Sequence, residues 1–394
     1  MLRIPLETHP ALAAPAWVDV DLTAVAHNVR ACRSLLAPEC RLVAVVKANA
    51  YGHGMVRIAR TALRSGAHEL AVANVHEGAQ LRQAGFTAPI QIAGPLAPSE
   101  AGLAVQHGLL PSVGCAELAA ALAAATRRYL PVQIEVDTGM SRHGVPVEQL
   151  GALLQQIHAR GRLTIAGVYT HFAATGTSAD DLAAMRAQLA TFTQAVDAVR
   201  ALRGVRRHAC NTLGALALPA AHLDAVRIGG GLYGFDPFRG SGPAAPAASA
   251  PVALRPALAL KARLVGLRTV PAGTPVGYGG TFVTARPSRL ALLPLGYADG
   301  LPRELWNGAP VLVRGVRAPI VGVVSMNQTV VDATDVPGAM LGDEVVLLGA
   351  QGNDRLWPED RVGPGGSAYE VTTLLRSALP RRFLGGDEAA VSSR

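Results

Sequence analysis

A lysine able to act as a nucleophile follows directly after a buried apolar segment. Lys47 comes after Leu42–Val46, whose continuous apolar character is typical of a core strand. The turn Tyr51-Gly52-His53-Gly54 comes next, and its glycines let the backbone approach a ligand closely. Such a lysine is typical of enzymes that bind pyridoxal phosphate (PLP) through a Schiff base. The simpler interpretation is a lysine at a strand end that extends its amine to solvent.

Short apolar segments alternate with helical segments in the first part of the chain. Eight such segments occur before residue 231: Leu42–Val46, Leu70–Asn74, Ile90–Ala93, Leu109–Val113, Val132–Val136, Ile165–Tyr169, Arg207–Cys210 and Ala225–Gly229. Helical periodicity between them includes Val56–Arg64, Ala116–Arg127, Val147–Arg160 and Ala179–Leu202. Strands that alternate with helices pair in parallel, and eight such units predict an α/β fold of the (β/α)8 TIM-barrel type. An open doubly wound sheet is the alternative, disfavoured because no Gly-x-Gly-x-x-Gly motif follows the first strand.

Polar residues follow the predicted barrel strands at their carboxyl ends. Catalytic groups of such barrels lie at this rim, and phosphate binds near the last two strands. In addition to Lys47 and Tyr51, the rim residues are Arg142, His171, Asn211, Thr212, Arg227, Gly229 and Gly230. Each has an ordinary alternative: a rim histidine, an arginine paired with a surface carboxylate, or a flexible glycine turn. Their occurrence together at one rim favours a functional site.

Composition restricts the class of protein. The chain has 394 residues, 50% of them hydrophobic, which is enough for a large core and two domains. Its formal net charge is +8, but the arginines are scattered, which argues against a nucleic-acid partner. The four cysteines lack metal-binding spacing, so we expect reduced, mostly buried thiols, no metal site and a cytoplasmic location. Neither a signal peptide nor a membrane-spanning run of about 18 apolar residues is predicted.

The pattern changes after the predicted barrel. Asp236–Pro256 is rich in Pro, Gly, Ala and Ser and is predicted to be an exposed linker. Short strands are predicted beyond it at Leu258–Val265, Leu290–Leu295, Pro310–Val313, Ile320–Val324, Thr329–Asp332 and Val345–Leu348, with one helix near Glu370–Ala378. This part should form a mainly β domain. We therefore predict a barrel over residues 1–240, a linker over 241–256 and a C-terminal β domain over 257–394.

The Lys47 segment resembles the PLP-lysine motif of bacterial alanine racemases. Other motifs of that family are similar to segments spread along nearly the whole chain: Tyr169–Ala173, His208–Thr212, Val226–Gly234, Gly296–Gly300, Val324–Gln328 and Tyr369–Val371. The resemblance implies PLP as cofactor, a barrel followed by a β domain, and a homodimer with shared active sites. It also implies an isomerase that interconverts L-alanine and D-alanine and supplies D-alanine for peptidoglycan.

The resemblance also implies roles for individual residues. Lys47 would hold PLP and act as the base for the D-enantiomer, while Tyr297 of the partner subunit would serve the L-enantiomer. The expected PLP-binding residues are Lys47, Tyr51, His171, Asn211, Thr212, Arg227, Gly229, Gly230 and Tyr369. Arg142 and the backbone N–H of Met326 would bind the substrate carboxylate. A tyrosine base needs a lowered pKa, and His171 is expected to assist it by hydrogen bonding.

Within the resemblance, Arg227 favours a racemase over a PLP decarboxylase. An arginine that faces the pyridine nitrogen keeps that nitrogen unprotonated, because two cationic donors would repel each other. Stabilisation of negative charge on the substrate is then limited, which suits racemisation and restricts transamination. PLP decarboxylases with a similar barrel carry an acidic residue at this position.

Two residues depart from the family pattern. Glu135 stands where the family often has a carbamylated lysine, and we expect it to orient Arg142 directly, although a strand glutamate paired elsewhere is the alternative. Asn327 stands where the family usually has Asp, which removes one fixed charge near the carboxylate site.

Three other functions are considered. A racemase of the same family that acts on serine or on a broad range of amino acids differs only in the size of the pocket. A PLP-binding protein without turnover is disfavoured by the second domain, and a glycosidase by the lack of a carboxylate pair on the rim.

Overall fold

The chain forms two compact units. The computed structural model describes residues 14–239, 252–303, 308–362 and 366–385. One unit runs from residue 22 to 257, and the other combines strand β1 (Ala16–Asp21) with residues 258–385. Much of the predicted linker lies outside the described residues, and we keep the predicted domain limits as a proposal.

The first unit is a closed barrel of eight parallel strands. They are β2 (Arg41–Val45), β3 (Glu69–Val72), β4 (Ile90–Ile92), β5 (Leu110–Val113), β6 (Leu130–Asp137), β8 (Leu163–Tyr169), β9 (Arg206–His208) and β10 (Ala225–Ile228). Neighbours pair in the order β5-β4-β3-β2-β10-β9-β8-β6, and a pairing of β5 with β6 closes the ring. A two-residue strand, β7 (Val145–Pro146), adds to the end of β6. The predicted barrel and all eight of its strands are confirmed.

Helices precede or connect the barrel strands. They are α1 (Leu22–Arg33), α3 (Met55–Arg64), α4 (Val75–Gln83), α5 (Ala101–Gln106), α6 (Ala116–Ala125), α7 (Leu150–Ala159), α8 (Ala179–Asp197) and α9 (Thr212–Ala217). The connection after β2 also contains α2 (Lys47–Tyr51), whose backbone is mostly left-handed. Sequence signals explain where some of them begin. In α8, the Ser178 hydroxyl accepts the Asp181 N–H at 3.1 Å, and Asp181 accepts the Ser178 N–H at 3.1 Å, which forms a capping box.

Small and aliphatic side chains fill the barrel unit, as the aromatic content of 4% requires. Val43, Ala71 and Ala225 form one buried cluster between neighbouring strands. Burial of an aliphatic side chain such as Val43 contributes roughly 1.5–3 kcal/mol. Three cysteines are buried, Cys115 is exposed, and these four thiols are free. None of the helices among the described residues is both long enough and apolar enough to span a bilayer.

The second unit is mainly β. The strands beyond β1 are β11 (Leu258–Arg263), β12 (Gly266–Val270), β13 (Pro275–Val276), β14 (Phe282–Val283), β15 (Ser288–Leu293), β16 (Pro310–Val313), β17 (Val316–Pro319), β18 (Thr329–Asp332), β19 (Glu344–Gln351), β20 (Asp354–Leu356) and β21 (Arg381–Leu384). The larger sheet has the order β17-β16-β19-β11-β1-β21, with β20 paired to β19, and a three-stranded sheet has the order β12-β15-β18. The one α-helix in the described part of this unit is α10 (Ala368–Thr373).

The sequence prediction missed strand β1. It pairs antiparallel with β11 and parallel with the last strand, β21. Its Trp17 ring lies between two guanidinium groups, with Arg263 at 5.4 Å and Arg382 at 4.3 Å from the ring centroid. The strand predicted at Ile320–Val324 was wrong, because only Ile320 pairs there, as an isolated bridge to Val331.

Candidate active site

Lys47 begins a left-handed turn at the carboxyl end of β2. The four residues that follow it have φ between 51° and 55°, although none of them is glycine: Ala48, Asn49, Ala50 and Tyr51. A left-handed backbone costs roughly 1–2 kcal/mol per residue for L-amino acids. The turn therefore depends on contacts that hold it in place.

Several side chains provide such contacts, including His53, whose Nδ1 lies 3.0 Å from the carbonyl oxygens of Ala50 and Tyr51. Glu77, in the first turn of α4, accepts the Ala48 N–H on Oε1 at 2.7 Å and the Ala73 N–H on Oε2 at 2.8 Å. Asn49 accepts the Met55 N–H at 2.9 Å through its side-chain oxygen. The turn is thus bound both to the β3–α4 connection and to the start of α3.

The Lys47 amine is electrostatically prepared to act as a nucleophile. Its side chain is half-buried. Burial and then the charge of Arg142 lower the pKa of Lys47, whereas Glu77 acts in the opposite direction. A lysine with a lowered pKa is more often deprotonated and hence reactive. Arg142 is exposed in the loop after β6 and forms no hydrogen bond or ion pair with any described residue, so its guanidinium remains available for an anion.

Arg227 is buried inside the barrel at β10, with 4% of its surface exposed. Its Nη2 donates to Thr170 O at 2.7 Å and to Ala209 O at 3.0 Å, and its Nη1 donates to His208 Nδ1 at 2.5 Å. The guanidinium carbon lies 4.8 Å from the centroid of the Tyr169 ring. Among the residues that the structure describes, none accepts a hydrogen bond from Arg227 Nε, which leaves one donor for a ligand.

His171 follows β8 and is neutral. Its Nδ1 lies 3.3 Å from Arg227 Nη2. Because a guanidinium only donates, Nδ1 is the acceptor and the ring proton resides on Nε2. Burial, followed by the charges of Arg227, Arg142 and Lys47, lowers the pKa of His171 to about 3. The dependence on these three charges places His171 in the same electrostatic environment as Lys47 and Arg142.

The ends of β9 and β10 form a cradle of backbone and hydroxyl groups. Thr212 Oγ1 accepts the N–H of Gly229 at 3.1 Å and that of Gly231 at 3.2 Å. Gly230 opens a 3₁₀ turn, so its N–H has no partner within that turn. A Cβ on Gly229 would lie 2.6 Å from the Tyr51 hydroxyl, so glycine is required for this approach. The Gly229 N–H is already bound to Thr212, whereas the Tyr51 phenol and the Gly230 N–H face the same cradle.

Asn211 shapes this cradle indirectly. Its side-chain oxygen caps α9 by accepting the Gly214 N–H at 2.9 Å. That cap fixes the start of the helix on which Thr212 is the first residue. Asn211 is therefore placed to position Thr212.

Glu135 is buried on β6 and has two hydrogen-bonding partners. Its Oε2 accepts the Tyr169 hydroxyl at 2.7 Å and pairs with His143 Nδ1 at 2.7 Å. Arg142 is not among its partners in the described part of the chain. Since His143 is adjacent to Arg142, Glu135 restrains the loop that carries Arg142 rather than contacting the guanidinium.

The remaining predicted residues lie in the β unit. Tyr297, Met326 and Tyr369 are 39%, 56% and 40% exposed there, and Asn327 is also exposed. Tyr297 N–H donates to Ser325 O at 3.1 Å, which brings the Tyr297 and Met326 segments together.

Comparison with known proteins identifies the family. The models of the N-terminal and C-terminal domains of alanine racemase match residues 20–237 and 257–383. An alanine racemase from Syntrophobacter fumaroxidans is 41% identical over 364 residues, which cover 91% of this chain and 94% of the relative. The chain belongs to the alanine racemase family. One from Symbiobacterium thermophilum is 40% identical over 383 residues, which cover 95% of this chain and 98% of the relative.

Solved structures of the family agree. The alanine racemase of Bacillus anthracis with bound L-Ala-P has a TM-score of 0.87 at 32% identity. The superposition covers 95% of this chain and 96% of the Bacillus anthracis chain. The alanine racemase of a D-cycloserine-producing Streptomyces lavendulae has a TM-score of 0.83 at 36% identity and covers 95% of this chain and 98% of its own. The predicted membership of the alanine racemase family is confirmed.

Sequence reasoning overlooked some residues of this alanine racemase site. Glu77 was not singled out, although a glutamate three residues after the helix-capping Asn74 is a recognisable signal. The partners of Arg227 were also missed, namely His208 and the Thr170 and Ala209 carbonyls. Every residue has a backbone carbonyl, so the sequence cannot show which carbonyls bind Arg227. A histidine at the end of a buried strand is only a weak indication of a buried polar partner.

Proposed function

We propose that the chain is a PLP-dependent alanine racemase of the cytoplasm that works as a homodimer. The two matched family domains support the reaction. The observation that carries the proposal is that Lys47, Arg142 and His171 all follow barrel strands at their carboxyl ends. Arg142 has no hydrogen-bonding partner among the described residues, and its charge lowers the pKa of both Lys47 and His171. Production of D-alanine for peptidoglycan is the corresponding physiological role.

The described residues fit PLP. Arg227 Nε has no acceptor among the described residues and suits an unprotonated pyridine nitrogen. The Tyr51 hydroxyl, Thr212 and the Gly230 N–H suit a phosphate, since hydroxyls and backbone N–H groups bind that dianion well. Lys47 would hold the aldehyde carbon through its amine. When bound, PLP supplies an electron sink that acidifies the α-carbon of an amino acid.

The protein's residues then move the α-proton. Lys47 Nζ would take and return it on the face used by D-alanine, and Tyr297 Oη of the partner subunit on the face used by L-alanine. Neutral His171 presents Nε2–H, a donor that would stabilise a deprotonated phenol and so lower its pKa. Tyr297 is 39% exposed in its own unit, as expected for a side chain that completes a site elsewhere.

Arg142 and the Met326 backbone N–H would bind the substrate carboxylate. Arg142 has a planar guanidinium that no described residue binds, and this shape suits bidentate binding of a carboxylate. Tyr369 is the last residue that we propose for phosphate binding. Asn327 lacks the charge of the Asp that the family usually has next to Met326, and Asn327→Asp tests its influence on turnover.

A racemase with serine or broad specificity is the second candidate. Arg142 and the Met326 N–H would bind the carboxylate that all α-amino acids share, so they suit serine as well as alanine. Comparison of kcat/KM for the two amino acids distinguishes the candidates.

The proposal is tested by adding PLP and each enantiomer of alanine and serine to the purified protein and following optical rotation. Borohydride reduction and peptide mapping should place the cofactor on Lys47. Lys47→Ala should abolish trapping, whereas Lys261→Ala, which alters a lysine paired with Asp19, should not. Cofactor attached to another residue, or none bound, would overturn the proposal.

A further inference from the structure

Glu77 makes contacts that its position in α4 does not require. As the third residue of the helix, after the cap Asn74, it would normally bond the Asn74 N–H in a capping box. Its two oxygens instead accept the N–H groups of Ala73, one residue earlier, and of Ala48, in the turn after Lys47. One carboxylate thus joins two separate connections at the carboxyl-end rim.

The turn that Glu77 holds carries the groups proposed to bind PLP. Lys47 begins it and Tyr51 ends it, with the Tyr51 phenol against Gly229. Its left-handed backbone is unfavourable for each of its residues. Ala48 is the first left-handed residue, and its N–H is the one that Glu77 fixes.

We infer that Glu77 is a positioning residue, whose carboxylate clamps the left-handed turn Ala48–Tyr51 so that the Lys47 amine and the Tyr51 phenol reach PLP together. The inference rests on the proposed function for its ligand, although the clamp itself is a property of the protein alone. Glu77 would act only through this turn and would contact neither PLP nor the substrate.

Glu77→Gln is the sharpest probe. Glutamine has the same shape but one acceptor oxygen, so its NH₂ group must face one of the two backbone donors. In the PLP-free protein, hydrogen exchange at the Ala48 and Ala73 amides should accelerate about tenfold or more. The dissociation constant for PLP, followed by fluorescence quenching, should rise about tenfold or more.

If Glu77 acted only through its charge, Glu77→Gln would change the affinity for PLP in the opposite direction. Loss of the Glu77 charge lowers the pKa of Lys47, because Glu77 raises it now, and a more reactive amine would bind PLP more tightly. Unchanged or tighter PLP binding by Glu77→Gln therefore overturns the inference. Glu117→Gln is the matched control, since Glu117 also lies in the first turn of a helix after a barrel strand but forms no hydrogen bond with described residues; it should behave as wild type.

Two further variants complete the test. Ala48→Gly, combined with Glu77→Gln, should restore most of the PLP affinity, because glycine adopts positive φ without penalty. Absence of this rescue would contradict the clamp. Glu77→Asp keeps the charge but is one methylene shorter, so it should also weaken PLP binding; wild-type affinity would refute the inference even if the Gln variant fails to fold.

The two proposals fail in different ways. If PLP is not trapped on Lys47 in the wild-type protein, the proposed function fails. Accelerated exchange at Ala48 in the PLP-free variant would then still support the clamp, and unchanged exchange there would refute it.

Discussion

Replacement of Thr212 by valine should damage the phosphate cradle without removing a contact to any charged residue. Valine has nearly the shape of threonine, but it cannot accept the two N–H groups of Gly229 and Gly231 that Thr212 Oγ1 now accepts at 3.1 and 3.2 Å. Both glycines are buried, so no water replaces the lost acceptor easily. Each unsatisfied buried donor costs roughly 1–3 kcal/mol.

The local destabilisation should therefore be at least about 2 kcal/mol, or about 30-fold in an opening equilibrium. A single free energy of unfolding is poorly defined for a chain of two units, so local measurements are preferable. Hydrogen exchange at the Gly229 and Gly231 amides should accelerate about 30-fold or more, and PLP should bind at least about tenfold more weakly. The weaker binding of PLP is expected because Thr212 and Tyr51 are both proposed to bind the phosphate, and the Tyr51 phenol lies against Gly229.

Two controls separate the causes. Thr212→Ser keeps the hydroxyl and should retain PLP affinity. Thr126→Val removes another buried hydroxyl, which bonds Arg128 after α6, and should leave PLP affinity unchanged. Unchanged exchange in Thr212→Val would refute the hydrogen-bond argument, and faster exchange with wild-type PLP affinity would refute the phosphate assignment.

Three other perturbations test separate parts of the site. Glu135→Gln should lower kcat/KM for D-alanine about tenfold, because the charge that holds Tyr169 and His143 is lost; unchanged kinetics would exclude the role. Tyr297→Phe should slow exchange of the α-proton of L-alanine about 100-fold relative to D-alanine, measured in deuterium oxide; equal losses for both would contradict the two-base assignment. The lowered pKa of His171 means that the unfolded chain binds its proton first, so resistance to denaturant should decline as the pH falls from about 6.5 towards 3. His171→Gln should show a shallower decline, and parallel profiles would refute this linkage.

The sequence was sufficient to predict an element of the fold where the local residue pattern agrees with the burial of that segment. Mostly apolar segments predicted the barrel strands, although their ends shifted; β6 spans Leu130–Asp137 rather than Val132–Val136. The exception is β9 (Arg206–His208), which is polar in sequence. The left-handed turn after Lys47 was not predictable from its own residues, because Ala48 and its neighbours individually disfavour positive φ. A carboxylate that lies 29 residues away from Ala48 in the chain helps to fix that conformation.

Other failures also reflect distant partners. Strand β1 was missed because its pairing partners, β11 and β21, lie far away in the sequence. The expected contact between Glu135 and Arg142 rested on the position of Glu135 in the family pattern and on its charge. In the structure Glu135 instead forms hydrogen bonds with Tyr169 and His143, on neighbouring segments of the barrel. Residue types alone could not show which of these possible partners Glu135 would bond.

The position of β1 between β11 and β21 has a consequence for biosynthesis. During translation β1 is made before any of the barrel, and β21 is made after both the barrel and the other strands of this sheet. The ribosome therefore makes more than 200 further residues after β1 before its partner β11 exists. During that time neither edge of β1 can form the hydrogen bonds of the final sheet. Contacts this distant in sequence slow folding and leave a nascent strand open to aggregation. The barrel, whose strands pair mostly with sequence neighbours, is free to fold first, and closure of the sheet around β1 should be a late step of maturation.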